Sequence, residues 1–203
     1  MTDKRPALTD PLKESPFGSI WFASLLSNLG QLMLGVGAAW EMLRMTGAVN
    51  MVALVHTSMM LPMMLIAIPA GAIADIYDRR KIALAGLGFA LLNSAILAVL
   101  AYAGYLTPWS LLACCMLIGS GLALYGPAWQ SSISEQVSQR NLPAAIALGS
   151  ISYNLARSVG PAVGGAVVAV FGAVSVFGLN ALFLLPIIYT YWRWQRKTAP
   201  SRL

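Results

Sequence analysis

Six apolar blocks, each at least 19 residues long, leave this chain one environment in which to fold. They cover residues 18–43, 51–74, 82–105, 109–133, 144–171 and 174–192. Crossing the hydrocarbon layer takes about 20 residues of α-helix, and four of the six blocks carry no formal charge. The chain is 58% hydrophobic and only 10% charged, against roughly 25% charged in an average soluble domain. The expectation is an all-α integral membrane protein with six transmembrane helices over residues 17–194. Residues 1–16 form an N-terminal tail and residues 195–203 begin a connector.

The basic residues orient the bundle. Alternating the loops puts Lys4, Arg5, Lys13, Arg79, Arg80, Lys81, Arg140, Arg193, Arg196, Lys197 and Arg202 on one side of the membrane. The other side holds only Arg44, while Arg157 lies inside a block. Loops rich in Lys and Arg stay in the cytoplasm, so both termini are expected there. The net charge of +6 then reports topology and requires no nucleic-acid partner. The first block is too long for the apolar region of a signal peptide and follows a charged segment. Cys114 and Cys115 are adjacent, a spacing that suits neither a disulfide within one helix nor a metal site. No metal or cofactor is expected, and nothing resembles a nucleophile with its base, so no enzymatic chemistry is expected.

Turn chemistry marks the connections: Thr46-Gly47 with Asn50, Thr107-Pro108, Asn141-Leu142-Pro143 and Gly172. Within the blocks, Ser24, Asn28, Gln31 and Gly35 recur at helical spacing on one face. Polar groups are costly against lipid, so that face points into the bundle or a wet cavity; helix–helix hydrogen bonding and a substrate wall both account for it. Arg157 lies near the middle of its span, where a cation costs at least about 2.5 kcal/mol. It is either a pathway residue or a hydrogen-bonding hub. Gly160, Pro161, Gly164 and Gly165 combine a small-residue packing surface with a helix-bending proline. Pro127, Trp129 and Gln130 mark the inner end of helix 4, where Trp129 and Gln130 face a cavity or Trp129 anchors at the interface. Glu135 beyond them is expected to meet Arg79 and Arg80. Glu41 and Arg44 read as a surface ion pair, and His56 as a packed or interfacial histidine.

The stretch 71–81 now carries a recognisable pattern. Gly71, Asp75, Arg79 and Arg80 resemble the loop motif between helices 2 and 3 of the major facilitator superfamily; Ile76 replaces its usual basic residue and Asp78 its second glycine. Gly160-Pro161 with Gly164-Gly165 resembles the helix-5 motif of that superfamily's exporters. Thr46-Gly47, Pro69-Ala70-Gly71, Pro127-Ala128-Trp129-Gln130 and Asn154-Leu155-Ala156-Arg157 are similar to the transmembrane secretion effector group, which includes enterobactin exporters. The helix-4 arginine of many drug antiporters is missing, since residues 115–122 carry no charge.

The resemblance implies the N-terminal six-helix half of a twelve-helix transporter, with the site at the midplane between halves. It implies helices 1 and 4 lining the cavity, helix 5 flanking it, and helices 3 and 6 facing lipid. Asn28, Gln31, Gln130 and Arg157 are the expected cavity residues. Gly71, Asp75, Asp78, Arg79, Arg80 and Glu135 are the expected conformational gate, with Asp75 capping a helix of the other half. The implied function is secondary-active, proton-coupled efflux of a small molecule such as a siderophore or drug, in the inner membrane of a bacterium. The partners are then that substrate, protons, the bilayer and a second six-helix half from the same chain, another chain or a second copy. A remnant or accessory subunit that does not itself transport is the alternative.

Overall fold

In a computed structural model, residues 7–194 are described, apart from the side chains of residues 67, 68 and 70–76. A 3-10 turn, Asp10–Lys13, precedes six helices: α1 Phe17–Thr46, α2 Val49–Ile76, α3 Arg79–Tyr102, α4 Pro108–Gln136, α5 Leu142–Phe171 and α6 Ala173–Arg193. All six are long and apolar enough to cross a membrane. Helices run on through Pro62, Pro69, Pro127, Pro161 and Pro186.

The turns follow their residues. Gly47 closes α1 at φ 64°, a left-handed conformation that costs glycine no steric penalty, and its N–H donates to the Leu43 carbonyl at 2.8 Å. Thr107 and Ser110 form a reciprocal capping box at the start of α4. Asp78 caps α3 by accepting from the Arg80 backbone N–H at 2.9 Å.

Helices α1 and α4 carry most of the packing. α1 lies against α5 and α6, and α4 against α2 and α3, while α3 also meets α6. Two of these contacts depend on missing side chains. A Cβ on Gly86 of α3 would meet the Gly121 carbonyl of α4 at 2.5 Å, and one on Gly121 would meet the Gly86 carbonyl at 2.5 Å. On α5, Cβ atoms at Gly160 and Gly164 would meet Leu32 Cβ and Met33 Cα of α1, each at 2.9 Å. Close backbone approach of this kind holds helices together where lipid removes the hydrophobic driving force. Gly165 faces open space and Pro161 is exposed. Between α3 and α6, buried Asn180 donates to Ser94 Oγ at 2.9 Å.

The outer faces are apolar. Phe89, Leu92, Ile96 and Val99 form an exposed stripe on α3, and Leu182, Leu185, Tyr189 and Trp192 form one on α6. Spacings of three and four put each set on one helix face. An exposed apolar stripe on each of these helices is what contact with acyl chains requires.

Candidate functional site: a cavity bounded by four helices

A cavity of about 1370 Å³ opens between α1, α2, α4 and α5. Helices α3 and α6 contribute no residue to its lining. α1 presents Ser24, Asn28, Gln31 and Gly35 to it, the four residues grouped by spacing in the sequence. Helix α2 supplies a full wall, which sequence reasoning missed. His56 and three methionines, Met59, Met60 and Met63, lie on it. His56 is thus an exposed cavity residue rather than a packed one.

The polar lining divides by what its side chains are already doing. Ser24 and Ser27 donate to carbonyls of their own helix, those of Trp21 and Ser24, at 2.9 and 3.1 Å. Asn154 donates to the Ser150 carbonyl at 2.9 Å. Asn28, Gln31 and Gln130 make no side-chain hydrogen bond to the described residues, and Gln31 Oε1 is buried without a partner. A buried, unsatisfied amide oxygen costs about 1–3 kcal/mol, and rotation of the Gln31 side chain toward the cavity would let a ligand donor remove that cost.

Arg157 lies about one turn further along α5 than Asn154 but does not line this cavity. It is exposed and makes no hydrogen bond or ion pair with the described residues. The structure therefore groups Asn28, Gln31 and Gln130 and leaves Arg157 beyond them on the adjoining stretch of α5.

Aromatic packing occupies the end of the cavity nearest the start of α1. Phe17 stacks on Trp129 with ring centroids 6.3 Å apart, and Trp21 Nε1 donates to the Leu148 carbonyl of α5 at 2.8 Å. Below this layer, Glu14 ties the N-terminal turn to the α4–α5 loop. Its carboxylate accepts from the Ser138 N–H at 2.8 Å, Ser138 Oγ at 3.0 Å and Asn141 Nδ2 at 2.5 Å. The Asn141 hydrogen bond is the main reason that this carboxyl sits below its ordinary range; burial, the next largest influence, opposes it, and the two Ser138 hydrogen bonds add to the lowering.

The residues grouped by sequence as a gate separate into distinct tasks. Arg79 donates to the Ser131 carbonyl at 2.8 Å and pairs with Glu135 at 3.1 Å, joining α3 to α4. Arg80 turns to α6 instead: Nε donates to the Tyr191 carbonyl at 2.9 Å and Nη2 to that of Trp192. These carbonyls lie in the last turn, where orphan acceptors and the helix dipole favour a cation. Asp78 is a helix cap, and the side chains of Gly71 and Asp75 lie outside the described residues. Tyr191 also connects this rim to the cavity, because its ring packs edge-on against Tyr125, with centroids 5.9 Å apart. Glu41 is buried and bound through two contacts of 2.6 and 2.9 Å to the mostly exposed Arg44, so this pair is half inside the bundle.

The model of the transmembrane secretion effector family matches residues 7–203. The chain belongs to that family. Its six-helix bundle accords with one half of a major facilitator superfamily fold, and the family and the relatives below are transporters rather than enzymes. The chain is 29% identical to the staphyloferrin A transporter of Staphylococcus aureus over 161 residues, covering 79% of this chain and 41% of that protein. It is 26% identical to the multidrug efflux pump Tap of Mycobacterium tuberculosis over 170 residues, covering 80% and 40%. The Tap pump of Mycolicibacterium fortuitum is 25% identical over 175 residues, covering 83% and 42%. This secretion effector chain thus spans about two-fifths of the length of the relatives that it matches. No solved structure gives a significant match.

Proposed function

We propose that this chain forms one six-helix half of a bacterial exporter that moves a small molecule by alternating access. The observation that carries the reading is the four-helix cavity, with Asn28, Gln31 and Gln130 uncommitted in its wall. A second six-helix unit, supplied by the same chain, another chain or a second copy, would cover the open face. Both termini are placed in the cytoplasm, a reading that the distribution of basic residues supports. Siderophore and multidrug transporters among the relatives support an amphipathic organic substrate, and proton flux is the proposed drive. Asn28, Gln31 and Gln130 line the path, with Arg157 adjoining it.

Arg79 with Glu135 forms the part of the rim that can open and close. With only one-quarter and one-fifth of its side chains exposed, the pair is worth more than the ~0–1 kcal/mol of a solvated one, and water entering an opening rim would weaken it. That suits a contact broken in every cycle. Asp75 and Gly71 are proposed to face the second unit, while the α5 glycines hold α1 and α5 as one rigid piece.

Efflux from cells preloaded with a fluorescent drug tests this reading. Loss of the native gene should raise retention, and so should a protonophore. Equal retention with and without the gene, across siderophore and dye panels, would overturn it.

A further inference from the structure

Helices α3 and α6 contribute nothing to the cavity, and their exposed faces end at a cluster of cations. Two contacts set these helices side by side and antiparallel. Arg80 donates to the carbonyls of Tyr191 and Trp192, and Asn180 donates to Ser94 Oγ at 2.9 Å. The two tie points lie about 20 Å apart along α3, so the exposed faces flank one shared crevice.

On α3 the exposed face runs from Val99 through Leu92, Phe89 and Ala85 to Lys81, and on α6 from Leu182 through Leu185 and Tyr189 to Arg193. Spacings of three, four and seven keep each cation in line with the apolar residues before it. Because Arg80 reaches the Trp192 carbonyl, its neighbour Lys81 and Trp192's neighbour Arg193 share this end of the bundle. Neither is bonded to a carboxylate among the described residues. Glu135 is paired with Arg79 on the α4 side, and Asp78 caps α3. Aromatic rings set the depth of the cluster. Arg193 Nη1 donates to Tyr189 Oη at 3.2 Å, with the guanidinium carbon 5.8 Å from the centre of that ring. The exposed rings of Tyr189 and Trp192 have centroids 6.5 Å apart. Exposed Tyr and Trp sit at the level of lipid headgroups, which puts Lys81 and Arg193 at the depth of lipid phosphates.

We propose that Lys81 and Arg193, beside the anchored Arg80, form a binding site for the phosphate of an anionic phospholipid, whose acyl chains lie along the α3 and α6 stripes. The two carbonyls of α6 hold the Arg80 charge at the junction, while Lys81 and Arg193 are exposed to meet the phosphate. Charge complementarity selects this occupant. A zwitterionic headgroup would bring a further cation to a cluster whose nearby carboxylates are already engaged. A free phosphate would gain nothing from the apolar stripes. All the groups named belong to this chain and lie on helices that do not line the cavity.

The test is mass spectrometry of the native assembly in detergent, with acyl-matched phosphatidylglycerol and phosphatidylcholine supplied in equal amounts. Phosphatidylglycerol should be retained about tenfold over phosphatidylcholine, the effect of two cations beside one phosphate. Lys81→Gln combined with Arg193→Gln should bring that ratio close to one, whereas Lys81→Arg combined with Arg193→Lys should keep it. Lys13→Gln removes an exposed cation from the same end of the bundle but on the N-terminal turn, and should leave the preference intact. An equal loss with Lys13→Gln would mean diffuse attraction to the whole basic surface and would overturn the site. Equal retention of the two lipids, or a preference that survives the double glutamine substitution, would overturn it as well. Displacement of phosphatidylglycerol by millimolar inorganic phosphate would overturn the lipid assignment, because the phosphate group alone would then be recognised. No readout here involves export, so failure of the site leaves the transport reading standing.

Discussion

The rim formed by the α2–α3 and α4–α5 loops with the end of α6, and the cavity wall, hold comparable polar chemistry in opposite conditions. At the rim, Arg79, Arg80, Asp78 and Glu14 all have hydrogen-bond partners, and each bond joins two elements or ends one. In the wall, Asn28, Gln31 and Gln130 make no side-chain hydrogen bond to the described residues, and Gln31 Oε1 is buried without a partner. Polar groups in a membrane protein are expensive wherever they sit. Where they are engaged they build the fold, and where they are not they mark the place a ligand must satisfy.

That contrast predicts how substitutions divide between stability and transport. The largest stability loss should come from Arg80→Ala, which strips two carbonyls of α6 of a charged donor. About 2–3 kcal/mol is expected, read from unfolding in mixed micelles. A loss below about 0.5 kcal/mol would remove Arg80 from the architecture and return it to the gate. Next come Gln31→Ala and Arg157→Ala. Each should cut export about tenfold or more, for Gln31 the value of one lost ligand hydrogen bond, while membrane insertion stays intact and stability falls by no more than about 0.5 kcal/mol. Destabilisation that matches the export loss would make them structural and erase the contrast.

Glu135→Gln should cost about 1–2 kcal/mol, since its hydrogen-bonded pair with Arg79 is mostly buried. Its clearer signature is a shifted balance between open and closed rims, measured by distances between spin labels. The smallest effect belongs to Glu14. Its carboxyl is held below the ordinary range in the folded protein, so the stabilisation is complete above the unfolded carboxylate range. It is lost as pH falls through the folded value. Docking of the N-terminal turn, followed by amide exchange, should weaken on acidification in the native chain. With Glu14→Gln it should show no such dependence.

What could be read from the sequence follows the same division. The six spans were legible because length and apolarity alone decide them, and α1 displayed its cavity face because Ser24, Asn28, Gln31 and Gly35 recur at helical spacing. α2 hid its wall because it is apolar on every side. His56 and the methionines around it break no pattern there, and only packing against α4 shows which face is open. Arg80 looked like its neighbour Arg79, because the end of α6 that it caps lies 111 residues away in sequence. Gly86 and Gly121 escaped notice for a related reason. Glycine is common in membrane helices, and which glycines meet is a tertiary fact.

The central claim is that a small molecule passes through the four-helix cavity, and two glycines test it directly. A Cβ at Gly35, inside the cavity, or at Gly88, outside it on α3, would meet nothing within 4 Å. Tryptophan at either position should therefore leave the bundle intact. Export of a fluorescent substrate by the native assembly should be blocked by Gly35→Trp and preserved with Gly88→Trp. Unchanged export with Gly35→Trp in a correctly inserted protein would contradict the account.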